Sequence, residues 1–401
     1  MSPILHKVRQ CNSLPVRAPA GIHAACAHSA QALEVDGGAH GITLALKAPE
    51  RSPVKGLGNA HMSRHAMAES TAKHTSIVTV NAPGRLHLGF LDPGASLGRR
   101  FGSLGLVIGG ISTTLDARLS ADDDDHYTAE PSARDELPRV RAHIETLRNL
   151  TGNDAPIDVR LRRTLPAHAG LGSGTQLALT VGHAFARLHG LDLSATQLAP
   201  ALARGARSGV GIAGFERGGL IVDGGPRGPG VLPPVLSRFD FPSSWRVMLV
   251  FDESRTGLSG PAEHQALAAL PPFPQALAAH ACHLTLMQIL PAVAEREFAP
   301  FAQGVSALQD GIGRYFAKSQ GGIYTSPAVG RVLDWIGARY CAGVGQSSWG
   351  PTGFAIMESQ EEAEHALRSA REAAAIDPGL RVEIVSGLNS GATVTWASAQ
   401  D

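Results

Sequence analysis

The segment LPAHAGLGSGTQ, residues 165–176, leads from a proline and a run of small residues into Gly-Leu-Gly-Ser-Gly-Thr and then the apolar pattern LALTVGHAF. A glycine-rich turn that opens directly into an apolar helix leaves the first backbone N–H groups of that helix without intrahelical partners, at the positive end of its dipole. Such a terminus binds phosphate. Gly170, Gly172 and Gly174 let the backbone approach an anion, Ser173 and Thr175 add hydroxyl donors, and Leu171 completes the candidate loop. The pattern is not a Walker A loop, because no lysine follows the last glycine. Nor is it a dinucleotide fingerprint, because no strand, turn and acidic residue lie in the required order. Taken alone, the segment reads equally well as an ordinary helix start.

Composition bounds the possibilities. A chain of 401 residues can bury a substantial core and has the length of two lobes. Its 43% hydrophobic and 17% charged residues are those of a globular protein, and its formal net charge of +0 carries no nucleic-acid footprint. Lysine occurs only at positions 7, 47, 55, 73 and 318, so abundant arginine is a compositional bias and a weak functional signal. Cys11, Cys26, Cys282 and Cys341 have neither metal-site spacing nor disulfide-scaffold density, which suits a reducing cytoplasm. No apolar run approaches the roughly 18 residues of a membrane span, so no membrane partner is expected.

Residues 1–74 are rich in Ala, His, Gly and Pro without sustained periodicity, and read as a disordered or misassigned extension, with Met62 or Met67 the natural start. Their histidines are scattered rather than set at ligand spacing. From residue 75 the chain alternates. Strands are expected at 76–81, 104–118, 156–163 and 245–253, and a glycine-rich strand or hairpin at 212–224. Helices are expected at 138–151, from the glycine loop to about 189, from an N-cap at Ser194 to about 204, and at 275–292, 298–317, 327–338 and 361–375. Without a strict βαβ repeat, the class is α+β with two lobes, 75–232 and 233–401, divided near the Pro/Gly-rich GGPRGPGVLPP.

Two further motifs give the glycine loop its context. NAPGRLHLGFLD (81–92) opens the globular part, and GVGQSSWGPTGFAI (343–356) forms a late glycine-rich turn before a strand. In this order the three segments resemble the GHMP kinase superfamily over about residues 76–398. The resemblance implies a GHMP-kinase-like two-lobe fold, with an N-terminal lobe like the second domain of ribosomal protein S5 and a ferredoxin-like C-terminal lobe. Many members carry a Ser-Gly-x-Asp segment whose carboxylate orients or deprotonates the accepting hydroxyl. Here GARSGVGIAGFE (205–216) places Gly211 at that position, and glycine does no acid–base work. An ATP-dependent small-molecule kinase thereby becomes the alternative reading.

QSSWGPT (346–352), together with TGLSGPAEHQAL (256–267), QGGIYTSPAVG (320–330), RLHLGFLD and FGSLGLVI (101–108), resembles one branch of that superfamily, the β-ribofuranosylaminobenzene (hydroxybenzene) 5′-phosphate synthases. Membership implies a decarboxylating phosphoribosyltransferase. Phosphoribosyl diphosphate, with Mg²⁺, would condense with 4-aminobenzoate or 4-hydroxybenzoate in tetrahydromethanopterin biosynthesis. A homodimer is the expectation by superfamily analogy.

For that chemistry Arg85 and Arg207 are candidate anion clamps. His87, Asp92, Glu216 and Glu263 are candidate bases or Mg²⁺ ligands, and the metal ligands stay unassigned. Gln346, Ser347, Ser348, Trp349, Gly350 and Thr352 form the candidate substrate turn, with Trp349 either a stacking platform or a core residue. Strand alternation in RLHLGF sets Arg85, His87 and Gly89 opposite Leu86, Leu88 and Phe90. A structural alternative for Arg85 is a pair with an acid on a neighbouring strand, Glu216 and Arg217 could be a hairpin ion pair, and the ADDDD run at 121–125 reads as a solvated turn.

Overall fold

The computed structural model describes residues 76–258 and 260–398; the expectation for residues 1–74 lies outside them. β1 (Ser76–Asp92) and β2 (Phe101–Leu119) form a long antiparallel hairpin at the centre of the first sheet. β3 (His126–Ala129) and β4 (Ile157–Arg163) extend it from the C-terminal half of β2. β5 (Leu220–Asp223) pairs with the N-terminal half of β2, and β6 (Val235–Phe239) with β5. In the second sheet β7 (Arg246–Asp252), β8 (Gly343–Gln346), β9 (Gly353–Met357) and β10 (Leu380–Ser386) are ordered β10-β7-β9-β8. The last strand, β11 (Thr393–Ser398), returns to the first sheet beside β1. The sheets therefore do not divide the chain at residue 233, since β6 and β11 both belong to the first. The Pro/Gly run joins two strands of one sheet instead.

The helices are α1 (Leu137–Thr151), α2 (Ser173–Leu188), α3 (Ala195–Ala201), α4 (Val210–Arg217), α5 (Gly260–Ala268), α6 (Gln275–Leu284), α7 (Leu290–Glu295), α8 (Phe298–Gln320), α9 (Pro327–Gly337) and α10 (Gln360–Glu372). Ser194 caps α3 in a reciprocal capping box with Gln197, as its position predicts. In the acidic turn, Asp125 is gripped bidentately by Arg148, which makes it part of the framework.

Two expectations change. Residues 210–217 are a helix, not a strand or hairpin. Gly211 and Gly214 lower helix propensity, but a Cβ on Gly214 would lie 2.6 Å from Val107 Cγ2, so the glycine lets α4 press onto β2. Packing overrides propensity here. Secondly, the helical stretch Gln275–Glu295, interrupted by a π-turn at Thr285–Ile289, is long and apolar enough by length and composition to cross a membrane. About 39% of its apolar window is buried within the protein, where α7 packs on α8.

β1 explains where a site can form. Val78, Val80 and Ala82 belong to the core beneath α1–α4, whereas Leu86, Leu88, Phe90 and Leu91 belong to the core shared with α6–α8 and the second sheet. β2 does the same with Leu115 and Ala117 against Leu104, Leu106 and Ile108. Each fully buried leucine contributes roughly 2 kcal/mol of transfer free energy, so both halves of the hairpin are firmly held. Arg85 and His87 lie where the strand passes from one core to the other.

Candidate active site

Four backbone segments meet at that crossing. β1 donates the N–H of Arg85 to the Leu171 carbonyl (3.1 Å), which draws the glycine loop against the strand. Ser347 Oγ accepts from the His87 N–H (3.0 Å) and donates to the Gly170 carbonyl (2.7 Å), tying the QSSWGPT turn to both. Gly257 N–H donates to the His168 carbonyl and brings in the 256–258 segment. The glycine loop and the QSSWGPT turn interlock backbone to backbone. A Cβ at Gly170 (φ +85°) would lie 2.0 Å from the Ser347 carbonyl oxygen, and one at Gly350 would lie 2.2 Å from the Ala169 carbonyl. No side chain fits at either position.

The loop then delivers the start of α2. Gly172 is the N-cap in the left-handed region, and the first helical acceptor is its carbonyl, reached by the N–H groups of Thr175 and Gln176. The N–H groups of Ser173 and Gly174 precede that ladder, and both residues line the cleft. The cleft has a volume of about 600 Å³. Arginines surround it. Arg85 donates from Nη1 to the Gly170 carbonyl (2.6 Å), leaves Nε buried and unpartnered, and lies under Gly172. It pairs with the loop rather than with an acid on a neighbouring strand. Burial lowers its pKa to about 10 against the opposing pull of Glu263. Arg207 donates from Nη2 to Glu263 Oε2 (2.7 Å), with Nη1 buried and unpartnered. Arg139 and Arg204, not singled out in the sequence, complete the ring of four. Among the described residues, Glu263 is the one carboxylate lining the cleft.

His87 is buried (4% exposed) with Nε2 unpartnered. Burial first, then the charges of Arg85 and Arg207, push its pKa down to about 3. In the resting site it is a neutral hydrogen-bonding group, too weak a base to collect a proton near neutrality. The strand alternation is broken just beyond it. A bulge between His87 and Gly89 resets the register, so Phe90 turns toward the cleft with its ring 4.6 Å from the His87 ring. Phe90, Trp349, Ile312 and Phe316 line an apolar recess that opens off the cleft beside His87, with the amides of Gln309, Gln320 and Gln346 at its wall. Trp349 is both core and lining. It is 5% exposed, packs edge-on against Phe316 at 4.8 Å, and borders cleft and recess alike.

The other expected site residues divide cleanly. Gly170, Gly172, Ser173, Gly174, Thr175, Ser348, Trp349 and Gly350 line the cleft, and Gln346 the recess. Leu171 sends its side chain into the core, while Ser347 and Thr352 are fully buried supports of the turn. Asp92 and Glu216 are not in the cleft. Asp92 accepts from the Gly94 and Ser96 N–H groups as a turn cap, because β1 ends there. Glu216 lies on α4 and accepts from Thr196 at the start of α3, not from Arg217 in a hairpin. Gly211 lines the cleft against Thr175, so the carboxylate missing from the sequence is missing from the site itself.

The neutral histidines carry a consequence for stability. His87 is held at about 3, and His143 and His183 at about 4, in each case chiefly by burial. An unfolded histidine protonates near 6.5. The folded state is therefore favoured above that pH and loses stability as the pH falls toward 3–4. At pH 5 the loss amounts to roughly 2 kcal/mol for His87, and less for the only partly buried His143 and His183 because solvent screens them. Urea midpoints at pH 7.5 and 5.0 measure it; equal midpoints would contradict the burial of these rings.

Fold and site together define a member of the GHMP kinase superfamily. The GHMP kinases N terminal domain matches residues 139–219 and the GHMP kinases C terminal domain residues 289–376. The fold is shared with homoserine kinase from Cytophaga hutchinsonii, with a TM-score of 0.58 and 18% identity over 85% of this chain and 100% of that one. It is shared also with mevalonate diphosphate decarboxylase from Staphylococcus aureus, with a TM-score of 0.58 and 12% identity over 80% and 98%. Among curated proteins, beta-ribofuranosylphenol 5′-phosphate synthase of Methanothermobacter thermautotrophicus is 30% identical over 329 residues, 78% of this chain and 97% of that protein. Its counterpart from Archaeoglobus fulgidus is 32% identical over 295 residues, 71% and 88%. The chain belongs to the beta-ribofuranosylphenol 5′-phosphate synthase family.

Proposed function

We propose that this protein is a cytoplasmic decarboxylating phosphoribosyltransferase of tetrahydromethanopterin biosynthesis. It joins phosphoribosyl diphosphate to 4-hydroxybenzoate or 4-aminobenzoate, releasing carbon dioxide and diphosphate. The phenol in the relatives' name favours the hydroxy acid. One observation carries the reading: among the described residues, four arginines against a single cleft carboxylate surround a helix N-terminus beside an aromatic recess, and Gly211 stands where a kinase-type acid would. That charge balance suits a polyanionic donor and a carboxylate acceptor better than deprotonation of an alcohol.

In this reading the C1–O bond of the donor breaks and its electron pair leaves with diphosphate. The Ser173 N–H group, Arg85 and Arg207 stabilise that charge where it develops. The ring carbon bearing the carboxylate attacks ribose C1, assisted by the para substituent. The bond to the carboxylate then breaks, and its electrons restore the aromatic ring as carbon dioxide departs. Phe90 and Trp349 hold the ring, and neutral His87 supplies a hydrogen bond without adding positive charge beside the developing oxocarbenium ion. Among the described residues no cluster of three or more His, Cys, Asp or Glu is placed to hold a metal, and Glu263 is committed to Arg207. In this reading Mg²⁺ enters with the donor's diphosphate as part of the substrate, held chiefly by phosphate oxygens.

The test is incubation with phosphoribosyl diphosphate, Mg²⁺ and each carboxyl-labelled benzoate. Labelled carbon dioxide released in step with diphosphate is the expected result. No release with either acid, together with ATP consumption on an alcohol, overturns it in favour of a kinase.

A further inference from the structure

The cleft's arginines are not one cluster. Along the glycine loop the contacts fall in a sequence. Ser347 and Gly350, which bracket Trp349 in the QSSWGPT turn, abut Gly170 and Ala169, Arg85 lies under Gly172, and Arg139 and Arg204 crowd Gly174. A Cβ at Gly174 would lie 3.0 Å from Arg139 Nη2 and 3.4 Å from Arg204 Nη1, so both guanidiniums lie over the first turn of α2. Arg139 is anchored through Nη1 to Glu136 (2.7 Å). Arg204 makes no side-chain hydrogen bond or ion pair among the described residues, and its Nε is buried without a partner. Burial and the charge of Arg139 hold its pKa below the ordinary guanidinium value. His143, one turn beyond Arg139 on α1, has a buried, unpartnered Nε2 and is kept neutral by burial and by the same two arginines. Two like charges beside a helix N-terminus, with one carboxylate between them, lack an anion.

We infer that Arg139 and Arg204, with the Gly174 end of the loop, form a second anion subsite that holds the 5′-phosphate of the ribose donor, separate from the diphosphate subsite at Arg85 and Arg207. The inference rests on the phosphoribosyltransferase reading and adds the direction of the donor. The reacting C1 carries the diphosphate and must meet the aromatic ring, so the diphosphate belongs beside the Trp349 recess, with Arg85 and Arg207. The 5′-phosphate is at the other end of the sugar and belongs at the far end of the loop, where Arg139 and Arg204 are. Two separated phosphate grips fix the sugar at both ends and aim C1 at the recess.

The subsites are separable by titration calorimetry of the full chain with ribose 5-phosphate and with inorganic diphosphate, both with Mg²⁺. Arg204→Gln and Arg139→Gln are each expected to weaken ribose 5-phosphate binding at least tenfold while leaving diphosphate binding within twofold. Arg207→Gln is expected to do the reverse. In steady state, Arg204→Gln raises KM for phosphoribosyl diphosphate far more than it lowers kcat for the bound donor. Unchanged ribose 5-phosphate affinity in both Arg139 and Arg204 variants, or equal loss of both ligands in variants with wild-type thermal midpoints, overturns the subsite and leaves the synthase reading standing. A wild-type chain that binds neither phosphoribosyl diphosphate nor either fragment overturns the reading beneath it as well.

Discussion

Gly170→Ala is expected to lower kcat/KM by on the order of 10³, the scale of losing an oxyanion-type donor set. The left-handed φ of +85° costs an alanine about 1–2 kcal/mol, which a protein of this size can absorb. The clash decides the outcome. The new methyl carbon would lie 2.0 Å from the Ser347 carbonyl oxygen, a backbone atom in a turn held by hydrogen bonds to β1 and to the loop itself. One of the two segments must withdraw, and with it goes either the α2 N-terminus or the Trp349 side of the recess. Gly350→Ala meets the same obstacle from the opposite side, at the Ala169 carbonyl, and is expected to match it. Gly174→Ala is the contrast. Its methyl would meet only guanidinium ends, which can move, so its loss should be much smaller. Kinetics of the three variants, with circular dichroism to verify folding, provide the test. A Gly170→Ala enzyme that keeps a tenth of its activity would show that the two loops need not interlock.

Gly211→Asp, which restores the acid familiar from kinases of the superfamily, is expected to raise KM for phosphoribosyl diphosphate on the order of 10²-fold, because like charges brought together in a binding site cost several kcal/mol. Destabilisation is not the expected cause. Position 211 is in the first turn of α4, where a carboxylate favours the helix dipole. The added Cβ would approach Thr175 Cγ2 at 3.2 Å, a tight contact with a single methyl group. Gly211→Asn carries the same bulk without the charge and should lose far less. Equal loss in both variants would make the effect steric and remove the charge argument from the kinase comparison.

Much of the site was legible because it is local in sequence. A glycine turn feeding an apolar helix, an Arg-x-His pair on one strand and a Trp-Gly-Pro turn before a strand each have short-range signatures, and all three lie at the cleft. The misreadings share one cause. An acid near a motif looks the same whether it faces a ligand or caps a neighbouring turn, and Asp92 and Glu216 do the latter. Arg139 and Arg204 escaped notice in an arginine-rich chain. The available signals were the Arg139–His143 spacing of one helical turn and the Arg204–Arg207 pair flanking Gly205. Neither says that two distant segments converge on Gly174.

What the sequence by itself determined is the identity of the pieces: the family, the glycine loop that opens a helix, the alternation of strands and helices, and the absence of an acid at 211. These depend on residue type and near-neighbour spacing, which backbone sterics and helix capping translate directly into local structure. Only the tertiary structure decided how the pieces divide the work. It placed Arg85 and His87 where one strand leaves one core for another, turned Phe90 into the recess through a bulge, and brought Arg139 and Arg204 to Gly174 while Arg85 lies under Gly172. Those arrangements arise from packing between segments as far apart in the chain as residues 85 and 347, and short-range pattern does not encode such distances.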